Sequence, residues 1–403
     1  MKRLPFRIIA LSFASAIAMS SCTKTNNDSI VGVNPEQDMH IYGLNPMQPS
    51  DWANVPVFSP DMPSQGITYT GTLPGSYLLI SPNVRDQGQI GSCTGFCGTE
   101  TNEMIEYNNN NTTTSPSINF SNAISTAAGY QIPNTSQTNY SSALSPLFLY
   151  YVERCVIQKQ SISSDPGANM VNIGEALQGL TNNTGTGATL TEKIGTTKYT
   201  FSGESIESDY AYPWVAGSGG YNVASPSSSS YKTAPSTTAI SNAATYLIAK
   251  NPSNSSTSTG STTTGGYYVI NSNSIISDVE TAIASNKPVM MGFNVYDDNK
   301  PSSSTYLKYF ERLNTTQFTY NPLTSSGNLI SNLKLLGGHA VPIIGYITNS
   351  SDPSIPSSYG GGVFIVENSW GTPWGNNGYF YLPFNVLTNK TIVPSGSLYV
   401  MVK

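Results

Sequence analysis

Three short apolar runs late in the chain constrain its fold more than any other feature: Pro288–Val295 (PVMMGFNV), His339–Tyr346 (HAVPIIGY) and Gly362–Asn368 (GVFIVEN). Each is rich in Val, Ile and aromatic residues, so each predicts a strand of a half-buried sheet. Helical periodicity comes mostly earlier, over Cys93–Tyr107, Pro146–Gln158 and around Ile173–Leu180, with one later helix over Ile276–Ser285. Ser92 is the N-cap candidate for the first of these. Helices early and strands late predict an α+β fold. No fixed-period repeat is visible.

Between these elements lie segments expected to be loops. Residues 182–200 and 216–237 are rich in Gly, Ser and Thr, and 251–266 (NPSNSSTSTGSTTTGG) is a low-complexity polar insertion. Prolines at 35, 46, 49, 56, 60 and 63 break any periodicity before Leu73. Only 10% of the 403 residues are charged, against roughly 25% in ordinary soluble domains. Ser, Thr and Asn have taken the place of the missing charges. With a net charge of −5, the chain lacks the clustered Lys and Arg excess that nucleic-acid binding needs.

The first 22 residues are expected to form an export signal. Lys2, Arg3 and Arg7 make a basic start, and Ile8–Met19 is an apolar run of 12 residues, short of the roughly 20 that cross a bilayer. Ser20, Ser21 and Cys22 put small residues before a cysteine, as in bacterial lipoprotein signals, so Cys22 is expected to carry lipid. Residues 23–72 then read as a polar, Pro-rich tether or a short pro-segment, and 73–403 as the functional domain. The expected location is the bacterial cell envelope, at the outer membrane or cell surface, with the membrane as partner through the anchor.

Four cysteines (22, 93, 97, 155) and two histidines (40, 339) bound the available chemistry. A cysteine acts as a nucleophile only as thiolate, and a helix N-terminus beside an imidazolium lowers its pKa by as much as about 5 units. Cys93 stands at a predicted helix start. With His40 in the irregular leader, His339 is the credible base, brought near by the fold and not by sequence. Asn368 is the candidate to orient the ring by accepting its second N–H.

These residues carry a family resemblance. Gln87-Gly88-Gln89-Ile90-Gly91-Ser92-Cys93 resembles the nucleophile motif of papain-like cysteine peptidases. Gly337-Gly338-His339-Ala340-Val341 with Gly345-Tyr346 is similar to the family's histidine strand. Glu367-Asn368-Ser369-Trp370-Gly371, continuing to Trp374-Gly375 and Gly378-Tyr379-Phe380, resembles its asparagine strand. Leu144-Ser145-Pro146 before Tyr150-Tyr151 and the run Ser208–Pro213 are fainter echoes. The resemblance implies a two-lobed fold with a helical and a β-rich lobe and the cleft between them. It makes Cys93 the nucleophile, His339 the general base and acid, Asn368 the orienting residue and Trp370 a shield over their hydrogen bond. Gln87 becomes an oxyanion donor. Protein or peptide substrates follow, and neither a metal nor an organic cofactor is implied.

Several positions depart from the family pattern. Thr94 and Gly95 follow the nucleophile where Trp is usual, which predicts a loosened cleft floor. Ile90 stands where many members carry a disulfide cysteine. The stretch from Cys93 to His339 exceeds the family's usual 130–150 residues by about 100, which the polar loops are expected to absorb. Cys97 and Cys155 form either a disulfide or two buried free thiols. Glu103 and Trp374 read as structural. Endopeptidase, exopeptidase and a non-catalytic surface-binding lipoprotein on the same scaffold remain open at this point.

Overall fold

The three predicted strands are neighbours at the centre of a seven-stranded antiparallel sheet. In chain order its members are β1 (Ser76–Leu78), β2 (Gly266–Val269), β3 (Val289–Asp297), β4 (Lys334–Thr348), β5 (Gly362–Glu367), β6 (Tyr379–Pro383) and β7 (Leu398–Val402). They lie in the order β6-β5-β4-β3-β7-β2, with β1 also against β4. The 15-residue β4 organises the sheet: its first part pairs with β3, with His339 opposite Phe293, and its last part pairs with β5 and β1. The computed structural model describes residues 41–402 apart from 63–66, 70, 111–114, 133–142, 184–186, 207–208, 211–214, 218–219, 223–229, 247, 249–265 and 298–309. The expected signal with Cys22, the leader residue His40 and nearly all of the 251–266 insertion lie outside the described residues.

Strict alternation along the strands gives the sheet two buried faces. Met290, Ala340, Tyr399 and Met401 join the core made with the helices, whereas Met291, Val341, Val400 and Val402 join a second core on the other side. Each buried Met or Val side chain among them contributes about 1.5–3 kcal/mol by leaving water, so apolar burial on both faces holds the sheet and not the two ion pairs among the described residues.

Helix α1 (Cys93–Asn110) packs against α2 (Pro146–Tyr151) and α3 (Met170–Gln178), and α4 (Ile275–Ala284) follows later in the chain. Glycine is a poor helix former, yet α1 contains two where its neighbours come closest. A Cβ at Gly95 would sit 2.6 Å from the Pro146 carbonyl oxygen, and one at Gly98 would sit 2.6 Å from Leu149 Cδ2. The expected loosening of the cleft floor does not occur, because Gly95 admits the α2 backbone and buried Thr94 donates to Glu153 Oε2 at 2.7 Å. Helix α2 starts as predicted, with Ser145 capping the Phe148 N–H. From Val152 to Ile157 it widens into a π-helix, closed by a bond from Gln158 N–H to the Glu153 carbonyl. That wider turn carries Arg154, which donates to the carbonyls of Ser161, Ile162, Ser164 and Tyr231.

Two expected loops contain regular structure. Within 182–200, Thr191–Ile194 pairs with Thr197–Thr200 around a two-residue turn, where Gly195 takes the positive φ of +62° that a tight hairpin favours. In the 216–237 segment, Val215–Gly217 pairs with Gly220–Asn222, and Ser236 caps a helix from Thr237 to Ala243. Short polar strands of this kind lack apolar alternation, the signal on which strand prediction rests. Within the stretch 23–72, read as a tether or short pro-segment, the described residues from 41 onward pack against the rest of the chain. Val55 and Phe58 are buried, and residues 56 and 58 bond to Val269 beside β2.

The interior around α1 holds an unusual group of carboxyls. Glu100, Glu153, Glu204 and Glu367 are fully buried, and Arg85 pairs with Glu103 at 2.7 Å. Glu204 accepts from Thr99 and, at 3.1 Å, from Asn102, tying its segment to α1. Burial pushes Glu204 up to about 8 and Glu100 to about 8, each against an ordinary value of 4.5. The folded chain therefore keeps protons that the unfolded chain releases near pH 4.5. Stability is fully present below that pH and is lost as pH rises through about 8, with a slope of about 1.4 kcal/mol per pH unit for each proton. Urea midpoints between pH 5 and 8 are expected to fall accordingly, and Glu204→Gln to flatten the fall; an unchanged slope in that variant would contradict the assignment.

Candidate active site

Cys93 is the first residue of α1, as its place before a helical run requires, and the first helical bond runs from Phe96 N–H to the Ser92 carbonyl. His339 lies in β4 and Asn368 directly follows β5, so the β4–β5 pairing brings the two together: His339 Nε2 is 2.7 Å from Asn368 Oδ1. The Ser369 N–H donates to the same oxygen at 2.9 Å, which fixes the amide orientation, since an NH2 there would face two donors. His339 thus donates from Nε2, leaving Nδ1 as its basic nitrogen. Both residues are fully buried.

An aromatic wall surrounds the imidazole. Trp370 is tilted over it with centroids 5.0 Å apart, Phe310 stands edge-on at 5.7 Å and Phe293 at 5.9 Å. Trp374 packs on Trp370 and donates from its ring N–H to the Phe310 carbonyl at 3.0 Å. These rings keep water from the His339–Asn368 bond.

Gln87 joins the same group. Its Oε1 accepts from Ser369 Oγ at 2.7 Å and its backbone N–H donates to the Ser369 carbonyl at 2.8 Å. Its Nε2 donates to the carbonyls of Ile90 and Ile41, each at 3.0 Å. Ser369 was visible in sequence only as part of the asparagine block; its role in holding Gln87 emerges from the fold.

Residues 41–45 lie across this site. Leu44 N–H donates to the Gly338 carbonyl at 3.0 Å, Asn45 N–H to the Ala168 carbonyl at 2.7 Å, and Ala168 N–H to the Gly43 carbonyl at 2.9 Å. Tyr42 stands edge-on to His339 and Trp370, with centroids 6.2 and 5.7 Å away, and donates to Glu311 Oε1 at 2.8 Å. Leu44 covers Gly292 beside Met170. Residue 43 has room only for glycine, because a Cβ there would lie 1.9 Å from the Gly91 carbonyl oxygen. The only sequence trace of this strap is Ile41-Tyr42-Gly43-Leu44, a short apolar stretch among prolines.

Burial reverses the expected electrostatics of the thiol. Burial pushes Cys93 up to about 12, with Glu153 adding to the shift, while backbone hydrogen bonds from Ala340, Gly43 and Thr94 act against it. Desolvation outweighs the helix N-terminus here, so the thiol is neutral at pH 7. Those contacts also show that the sulfur lies against Ala340, the neighbour of His339. Cys97 and Cys155 are buried free thiols, not a disulfide. Among the described residues no group of His, Cys, Asp and Glu is arranged to hold a metal ion.

A thiol at a helix start, against the backbone next to an imidazole held by an amide on an antiparallel sheet, defines the class as the papain-like cysteine peptidase architecture. A sequence profile described as papain family cysteine protease matches residues 195–395, about half the chain, including His339 and Asn368. The chain is 28% identical over 120 residues to an uncharacterized peptidase C1-like protein of Acanthamoeba polyphaga mimivirus, covering 29% of each. It is 31% identical over 104 residues to a gut-specific cysteine proteinase of Caenorhabditis elegans, covering 26% of this chain and 22% of that protein. These matches span under a third of the length of those relatives. In structure the chain is similar to xylellain, a cysteine protease from Xylella fastidiosa, with TM-score 0.54 and 20% identity over 90% of this chain and 96% of that one. The chain belongs to the papain-like cysteine peptidase family.

With the strap seated, iodoacetamide is expected to modify Cys93 slowly at pH 7. Gly43→Val, which has no space for its side chain, is expected to raise that rate roughly tenfold or more. Mass spectrometry of the Cys93 peptide reads the rate; equal rates in the two chains would contradict the shielding.

Proposed function

We propose that the protein is a cysteine peptidase held latent by its own residues 41–45, with Cys93, His339, Asn368 and Gln87 as its machinery. The observation that carries this reading is the 2.7 Å bond from His339 Nε2 to Asn368 Oδ1 beside a thiol at the start of α1. Once the strap leaves, water and the helix N-terminus favour the thiolate, and His339 Nδ1 takes the thiol proton. The thiolate attacks the scissile carbonyl carbon. Its oxygen, now negative, accepts from Gln87 Nε2 and the Cys93 N–H, an arrangement worth about 3–4 kcal/mol per donor. As the C–N bond breaks, the imidazolium gives its proton to the departing amine. Water, deprotonated by His339, then hydrolyses the thioester and frees Cys93. Trp370 keeps the orienting hydrogen bond dry throughout.

The carbonyl of Ile41 already sits on Gln87 Nε2, the donor assigned to the oxyanion, which supports reading the strap as a built-in occupant of the substrate path. It favours the pro-segment reading over the tether for the residues from 41 onward. Residues 1–22 support export with lipid attachment at Cys22, which would place this latent peptidase at the cell envelope with peptides or proteins as substrates.

Peptide-library hydrolysis tests the chemistry. The wild-type chain is expected to be nearly silent, Gly43→Val active, and Cys93→Ala in that background inactive. Gln87→Ala is expected to lower kcat about 10²–10³-fold. Thiol-dependent turnover that survives Cys93→Ala, or none in the Gly43→Val chain, would contradict the proposal. For the anchor, Cys22→Ser is expected to move the protein from the membrane fraction to the soluble one and to abolish labelling by a fatty-acid analogue.

A further inference from the structure

Two segments far apart in the chain must be held in register for this site to work. One is the nucleophile loop ending at Gly91-Ser92-Cys93. The other is the 165–168 loop, whose Ala168 backbone pairs with the extended strap at Gly43 and Asn45. Ile90 excludes the covalent tie that many family members place at that position, and the three described cysteines are all free. A polar connection lies there instead. Asp165 Oδ2 accepts from the Gly91 N–H at 2.9 Å, its Oδ1 accepts from the Tyr150 hydroxyl, and the Tyr150 oxygen accepts from the Gly167 N–H at 3.1 Å.

The connection is built, not incidental. Gly91 permits it, since a Cβ there would lie 3.3 Å from Asp165 Oδ1 and 3.6 Å from the Tyr150 oxygen. Tyr150 is fully buried in α2, and burial next to Asp165 keeps its hydroxyl protonated and therefore a donor. Arg154 stacks over the Tyr150 ring at 5.3 Å and donates to the Ser164 carbonyl at 2.9 Å, fixing the residue before Asp165. A carboxylate accepting two such donors makes stronger bonds than neutral partners do.

We infer that Asp165 and Tyr150 are positioning residues of the peptidase, a hydrogen-bonded clamp that sets the nucleophile loop against the backbone edge at Gly167-Ala168 where an extended chain is held. The inference rests on the peptidase reading above. It divides the labour: the Asp165 bond to Gly91 governs the alignment of Cys93, and the Tyr150 bond to Gly167 governs the edge that grips the substrate backbone.

Native-state hydrogen exchange of the Gly91 and Gly167 amides in the full chain tests the clamp, with hydrolysis by the Gly43→Val chain as the second measure. Asp165→Ala is expected to speed exchange at Gly91 roughly tenfold or more. Tyr150→Phe is expected to do so at Gly167 while leaving Gly91 within about twofold. Asp165→Asn still offers Oδ1 to Gly91 and Nδ2 to the Tyr150 oxygen, so it is expected to rescue most of the protection and of the turnover. In hydrolysis, Tyr150→Phe is expected to raise KM with little change in kcat, and Asp165→Ala to lower kcat roughly 10- to 100-fold. Unaltered exchange at Gly91 in Asp165→Ala, or losses of activity that only track the folded fraction, would overturn the clamp. A Gly43→Val parent that cleaves nothing would overturn the peptidase reading instead, and the exchange pattern would then judge the clamp by itself.

Discussion

The hydrogen bond between His339 Nε2 and Asn368 Oδ1 exists because β5 runs antiparallel beside β4, with Val366 opposite Ile343. That pairing ends just where Asn368 and Ser369 begin, so one backbone register places both the acceptor for the imidazole and the hydroxyl that holds Gln87. A slip of one residue would turn every side chain of β5 to the opposite face of the sheet. Phe364 and Val366 pack into one apolar core and Val363 and Ile365 into another, so such a slip is penalised on both faces. The chemistry of the site therefore draws its precision from the packing of Val, Ile, Met and aromatic residues well away from it.

Burial works in two directions at this site. It protects the His339–Asn368 bond behind Trp370 and Phe310, where a polar contact is stronger than in water. It also holds Cys93 neutral under the strap, because a thiolate without solvent is costly. The same desolvation that strengthens the His339–Asn368 bond thus disfavours the thiolate of Cys93. Glycine makes the segment fit: Gly43, Gly337 and Gly338 leave no side chain between the strap, the nucleophile loop and β4.

Much of this was legible in the linear chain. Two of the three strand runs stand within two residues of their predicted bounds, while the third, predicted over His339–Tyr346, begins five residues earlier at Lys334; α1 begins at Cys93 as the cap and periodicity indicate, and His339 and Asn368 meet as their motifs imply. What escaped was of two kinds. The hairpin at Thr191–Thr200 has only Ile194 and Tyr199 as apolar residues, too few to make an alternation that can be read. The strap at Ile41–Leu44 is held mainly through backbone groups and glycines, which leave little mark in a hydropathy pattern. Thr94 misled for a related reason: its departure from the family's Trp implied a void, whereas Glu153 and the close approach at Gly95 fill the space.

By itself the sequence determined the kinds of groups available and the order in which they come: one base, one plausible nucleophile, an amide to orient the ring, and runs of residues that alternate or wind. Those are local properties, set by side-chain chemistry and by the period of each element. Only the tertiary structure decided that Cys93 is buried and its thiol held neutral, that Cys97 and Cys155 remain free thiols, and that Asp165 and Tyr150 link the nucleophile loop to the backbone at Gly167. Each depends on distances between residues remote in the chain and on how much water is left among them, and no local pattern of residues encodes either quantity.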